Sequence, residues 1–187
     1  LNEEKFPLTL ELQELANLQA QKAQDKGLKF NIDIQLNKQD HTILDKVKFG
    51  QIITNALDNA VKFTQQGTIQ FTVSYRNKHL KIRISDTGPG ISQEELDHLF
   101  TPFSQGQSGK KNGGTGLGLV LSRRLADAMG GTFALHSTLG QGTDVQIDLP
   151  VTIIAEDNYT NTQAHQKLIL GTPKTALIIE DDEPSRD

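Results

Sequence analysis

Two segments of strict apolar alternation, TIQFTVSYR (68–76) and LKIRIS (80–85), stand three residues apart across a polar NKH. A connection that short joins only antiparallel strands, because a parallel pair needs a crossover of about a dozen residues or more. The chain therefore holds a hairpin where a doubly wound sheet would alternate strand and helix. A second pair, TFALHS and TDVQIDLP across TLGQG, repeats the pattern. Upstream, LTLELQELANLQAQKAQDKG reads as a helix, with Leu8, Leu12, Leu15 and Leu18 apolar and Gly27 as its stop. LKFNIDIQL alternates through Phe30, Ile32, Ile34 and Leu36 and reads as a half-buried strand. A second helix is expected from about Asp45 to Thr64, and a short one behind the Ser92/Glu95 capping box. A third starts near Gly116 and stops at MGG. Three main helices and about five strands, linked as hairpins, predict a two-layer α/β sandwich with a mixed, mostly antiparallel sheet.

Composition narrows the function classes. With 19 basic and 23 acidic residues the net charge is −4, which argues against nucleic acid as a partner. The absence of cysteine excludes disulfides and thiolate metal sites and fits a reducing cytoplasm. No apolar run approaches the roughly 18–20 residues that cross a bilayer. There is no signal peptide, and the chain begins at Leu1, so it is expected to be a soluble piece of a longer protein.

Three motifs carry chemistry. In NALDNAVKFT, Asn55, Asn59 and Lys62 fall on one helical face as a polar row. Asparagine is a mediocre helix former, so two in mid-helix need a reason beyond a solvated surface. In DTGPGI, Asp86 ends a strand and is followed by Gly88 and Gly90. A partly buried carboxylate accepts hydrogen bonds, as from an exocyclic amino group, and the glycines let a ligand approach the main chain. A plain turn would use the same residues. In GGTGLGL, glycines 113, 114, 116 and 118 open a helix whose N-terminus could take an anion or serve as a hinge. Neither cluster fits a dinucleotide fingerprint, since Leu119 and Gln93 stand where the third glycine belongs. A Walker A loop fails as well: Ser104 and Lys111 occupy its first glycine and its Ser/Thr positions. Between these motifs TPFSQGQSGKKNGGT shows no periodicity and reads as a long polar loop.

The order of motifs is more specific than any one of them. Asn-x-x-x-Asn-x-x-Lys, Asp-x-Gly-x-Gly, Phe-x-x-Phe at Phe100 and Phe103, and Gly-x-Gly-x-Gly follow one another along the chain. From about Leu8 to Pro150 this resembles the catalytic ATP-binding domain of sensor histidine kinases, whose N, G1, F and G2 boxes these are. LANLQAQKAQDKGLKFN and NAVKFTQQG are most similar to hybrid kinases of the anoxic redox-control type. The resemblance implies a Bergerat (GHKL) fold with ATP and Mg2+ as cofactors. It makes Asn59 the metal ligand, with Asn55 supporting it and Lys62 facing the phosphates; these three form the implied catalytic set. It assigns Asp86 to the adenine amino group, with Gly88, Gly90, Ile91, Phe100 and Phe103 around the pocket. Gly114, Thr115, Gly116, Leu117 and Gly118 would line the phosphates, and residues from about Thr101 to Thr115 would form a lid.

The same fold family includes chaperone, mismatch-repair and gyrase-type ATPases, so a hydrolase, or a regulatory nucleotide-binding module, is the alternative. Those ATPases carry a glutamate four residues before the metal-binding asparagine, where this chain has Asn55, which cannot act as a general base. The kinase acceptor motif resembles His-acidic-x-x-(Thr/Asn)-Pro, and none of His41, His79, His98, His136 or His165 fits it. The phosphoacceptor helices of the dimerisation domain are therefore expected upstream of Leu1. ALIIEDDE near the C-terminus resembles the first strand of a receiver domain, with Asp181 and Asp182 as its acidic pair. The expected layout is a catalytic domain over 1–151, a linker over 152–173 and the start of a receiver over 174–187. The resemblance implies a cytoplasmic domain of a membrane-anchored parent.

Overall fold

The first helix, α1 (Leu8–Asp25), follows a short strand β1 (Glu4–Pro7) and buries Leu8, Leu12, Ala16, Gln19 and Ala23. Those positions track the 3.6-residue repeat more closely than a leucine count does, and Leu18 is left 58% exposed. Gly27, at φ +73°, ends α1: its N–H donates to Gln24 O and that of Leu28 to Ala23 O. This paired closure needs a left-handed residue, which glycine supplies without a Cβ penalty. The computed structural model describes residues 1–99 and 118–155.

Strand β2 (Lys29–Gln35) and strand β3 (Asp40–Leu44) lead into α2 (Lys46–Phe63), and then come β4 (Thr68–Arg76) and β5 (His79–Asp86). Asn77 and Lys78, both at positive φ, form the two-residue turn between β4 and β5, so His79 joins the strand rather than the loop. Next are α3 (Gln93–His98), α4 (Gly118–Ala128), β6 (Thr132–Thr138), β7 (Gly142–Pro150) and β8 (Ile153–Ala155). Five strands form one sheet in the order β2-β4-β5-β7-β6, parallel only between β2 and β4. Strands β4, β5 and β7 bury alternate residues (Ile69, Phe71 and Val73; Leu80, Ile82 and Ile84; Val145, Ile147 and Leu149) in one core with the apolar sides of α1 and α2, and the edge strand β6 adds Phe133. This is the expected sandwich.

A separate three-stranded sheet, β1-β3-β8, was not expected. Its strands are four, five and three residues long, and the buried positions of β3 include Asp40 and Thr42, so apolar alternation gives no signal. β8 pairs with β3 inside the stretch assigned as linker. The start of the expected receiver lies outside the described residues.

Helix α2 starts at Asp45, whose carboxylate accepts from Lys48 N–H (3.1 Å), Lys48 Nζ (2.5 Å) and Asn2 N–H (2.7 Å). The Lys48 ammonium first, and the two backbone donors after it, hold this carboxyl well below the usual carboxylate range. A depressed folded-state pKa stabilises the fold above the unfolded value of about 4, and that contribution fades as pH falls below it. Asp45→Ala is expected to melt below the parent at neutral pH, with the gap closing in acid. A gap that stayed constant in thermal melts from neutral pH to about pH 2 would contradict this.

Candidate functional site

The polar row on α2 is half-buried along its length. Asn55 Nδ2 donates to Gly118 O (3.3 Å) and to the buried Ser122 Oγ (3.1 Å), tying α2 to the first turns of α4. One turn later the Asn59 amide is half-buried and makes no hydrogen bond among the described residues. Lys62 is also half-buried, with Nζ 5.2 Å from the centroid of the Phe63 ring. Just past the row, at the C-cap, Thr64 N–H closes α2 onto Ala60 O. From Asn55 to Thr64 a helix of nine residues rises about 13 Å, on the scale of an extended nucleoside triphosphate. Lys26, at the end of α1, donates through Nζ to the carbonyls of Val61 (2.6 Å), Lys62 (3.1 Å) and Thr64 (3.0 Å). This places a cation on the negative end of the α2 dipole.

Asp86 stands at the last position of β5, between Ile69 of β4 and Thr143 of β7. Burial pushes its carboxyl above the ordinary value; N–H donors from Gly88 and Thr143, and the Thr64 hydroxyl beside it, pull the other way. The Gly88 N–H reaches Asp86 Oδ1 at 2.8 Å. Gly88 is buried, and a Cβ there would sit 2.7 Å from Asp86 Oδ1 and 3.2 Å from Thr64 Oγ1. The missing side chain thus leaves a cradle faced by a carboxylate and a hydroxyl.

Gly90 has a different reason to be glycine. At φ +67°, a Cβ on it would lie 2.0 Å from the Thr138 carbonyl oxygen. Around it, Gly140 N–H donates to Pro89 O (2.7 Å) and Ile91 N–H to Ser137 Oγ (2.9 Å). The loop after Asp86 is therefore pinned to the β6–β7 hairpin, and Ser92 then opens α3 through the expected capping box with Glu95. Gly118 is the first residue of α4, packed against the Asn55 amide.

The structure thus brings Asn55 to Gly118, and the end of the α2 row to Asp86 and Gly88. Phe100, Phe103, Gly114, Thr115, Gly116, Leu117, the expected lid and His165 lie outside the described residues. His41, His79, His98 and His136 are exposed or half-exposed. Sequence reading missed Thr64, Ser122, Thr143 and Lys26. Ser122 lies four residues after Gly118 and was legible as a helical neighbour, whereas Thr64, just past the helix end, falls outside any period. Among the described residues, no three His, Asp or Glu side chains are grouped to hold a metal, and no helix is long and apolar enough to cross a membrane.

Residues 44–153 match the family described as histidine kinase-, DNA gyrase B-, and HSP90-like ATPase, and the chain belongs to that family. Within it, the likeness is to the ATP-binding catalytic domain of sensor histidine kinases. The signal transduction histidine-protein kinase BarA of Escherichia coli K12 is 35% identical over 91% of this chain and 20% of its own length. The aerobic respiration control sensor protein ArcB of the same strain is 38% identical over 84% of this chain and 21% of its length. The chain thus spans about a fifth of these relatives. Full-length ShkA in complex with AMPPNP superposes with a TM-score of 0.70 at 29% identity, over 83% of this chain and 32% of that one. The nucleotide-free catalytic domain of histidine kinase ThkA gives 0.68 at 22% identity, over 80% and 98%, which speaks to the fold alone.

Proposed function

We propose that this domain holds Mg2+–ATP between α2, the loop after β5 and the start of α4, and presents the γ-phosphoryl to a histidine on a dimerisation domain of the same kinase. The residues suit such a ligand. Asn59 offers an amide oxygen uncommitted among the described residues, a neutral hard ligand for Mg2+, and phosphate oxygens and water would complete the ion's shell. Bound there, the ion would neutralise charge on the phosphates. Lys62 adds a positive charge on the same face, and the α4 N-terminus with Gly114, Thr115, Gly116, Leu117 and Gly118 supplies backbone donors. Asp86 accepts from the adenine amino group above the Gly88 cradle. By the family resemblance, Ile91, Phe100 and Phe103 would complete the pocket and residues 101–115 would serve as its lid.

The observation that carries transfer over hydrolysis is Asn55. A carboxylate there could activate water, but this side chain is an amide whose N–H2 is committed to Gly118 and Ser122. Phosphoryl transfer rests on positioning and charge neutralisation, and the acceptor imidazole is itself the nucleophile. Residues 1–151, extended by β8, form the catalytic domain. With a linker to 173 and the start of a receiver over 174–187, the chain would be part of a hybrid kinase, a cytoplasmic domain of a membrane-anchored parent.

Incubated alone with γ-labelled ATP, the chain is expected to bind nucleotide, gain no acid-labile phosphate and release almost no free phosphate. A dimerisation domain with its histidine, added in trans, should become labelled. Labelling of a histidine in this chain, or brisk hydrolysis, would favour the ATPase alternative.

A further inference from the structure

Thr64 is fully buried at the end of α2, and its hydroxyl makes no hydrogen bond of ordinary geometry among the described residues, yet it lies close enough to Asp86 to hold that carboxyl down. Its backbone is committed on both sides: the N–H to Ala60 O, the carbonyl to Lys26 Nζ. Only the hydroxyl is unspent, and it faces the Gly88 cradle together with Asp86 Oδ1. The other donors at that carboxylate are taken. Gly88 N–H is bonded to Oδ1, the Thr143 N–H also serves the carboxylate, and the Thr143 hydroxyl is engaged with Ser137 Oγ at 3.0 Å. The Thr87 hydroxyl accepts from Thr68 N–H and lies against Gly67, away from the carboxylate. A buried hydroxyl without a partner is costly, and a carboxylate beside it is a pure acceptor.

We propose that Thr64 is a positioning residue for base recognition: its hydroxyl donates to the Asp86 carboxylate, and so fixes the oxygen that accepts the exocyclic amino group of adenine. This rests on the adenine-site reading above. The carboxyl is already raised by burial, and the hydroxyl works against that rise. Charged or titratable groups on the surrounding elements are Lys62 on α2, Lys26 at the last α2 carbonyls, and Asp97, His136 and Asp144, which line an open cavity together with Asp86 between α3 and the β6–β7 hairpin. None of them contributes to the Asp86 shift. Without the hydroxyl the carboxyl would protonate at higher pH and lose acceptor capacity for the base.

The test compares the parent chain with Thr64→Val, which keeps the shape, and Thr64→Ser, which keeps the hydroxyl. Carbon-13 NMR follows the Asp86 carboxyl in nucleotide-free protein, and calorimetry follows ADP and GDP binding from about pH 5 to about pH 8. Expected for Thr64→Val are an upward move of the carboxyl titration and ADP binding weaker by roughly 3- to 10-fold. The loss should grow toward the acid end and be absent for GDP, and Thr64→Ser should behave as the parent. Parental ADP affinity in Thr64→Val, or a loss shared equally by ADP and GDP at every pH, would overturn the positioning role and leave the adenine site standing. A parent chain that binds no ADP would overturn the site itself and the proposal with it.

Discussion

Asp86→Asn is expected to lower ADP affinity by about 10- to 150-fold, the range for one hydrogen bond to a charged group. The same substitution should raise the melting temperature of the nucleotide-free chain at neutral pH. Opposite signs follow from one cause. Burial lifts the Asp86 carboxyl above its unfolded value. A raised folded-state pKa means that the stability present below the unfolded pKa is lost as pH rises through the folded pKa. At neutral pH the parent bears that whole penalty for keeping a buried anion, and the neutral amide does not. The Gly88 N–H can still donate to the Asn carbonyl, so the turn survives. Acidifying from pH 7 toward about pH 4 should therefore narrow the stability gap between parent and variant. Calorimetry with ADP and melts at both pH values decide it; parental binding joined to a lower melting temperature would mean that Asp86 serves the turn and not a ligand.

The two glycines after Asp86 should separate just as sharply. Gly90→Ala places a methyl group 2.0 Å from a backbone oxygen of the β6–β7 hairpin, at a φ that L residues avoid. Neither backbone can yield cheaply, and strain plus overpacking comes to about 3–5 kcal/mol. The expected result is a large drop in melting temperature. In Gly88→Ala the new methyl meets the Asp86 carboxylate and the Thr64 hydroxyl, side-chain atoms that can turn aside. That variant should stay folded, lose no more than about 1–3 kcal/mol, and bind ADP at least tenfold more weakly because the cradle is filled. Equal melting temperatures for the two variants would refute the division of labour between these glycines.

How much of this was legible depended on where the signal lay. Elements that bury one face against the core announce themselves by period, so α1, α2, β2 and both hairpins stood where alternation put them. The β1-β3-β8 sheet buries Asp40 and Thr42 beside Phe6 and Leu44, and no binary pattern can show that. In the site, Asn55, Asn59, Lys62, Asp86 and the glycines were visible because polar groups on an apolar helix and glycine after a strand are locally costly. The tertiary partners were not. That Asn55 would reach Ser122, or that Lys26 would reach the end of α2, depends on how helices distant in sequence come together. Gly90 was visible as a pocket glycine, but its contact with the Thr138 carbonyl needed the fold.

The small sheet also governs how force passes through the domain. β1 and β8 flank β3 about 10 Å apart and run parallel to each other, so the chain comes in beside Leu44 and goes out beside Asp40, at opposite ends of β3. Both pair antiparallel with β3, so tension on either stretch is carried along the strands of that sheet. The five-stranded sheet that carries Asp86 is not in that line. Of the candidate pocket's walls, α2 alone continues directly from that sheet, so a pull on β1 or β8 would reach the pocket through β3 and the Asp45 cap before it reached Asp86.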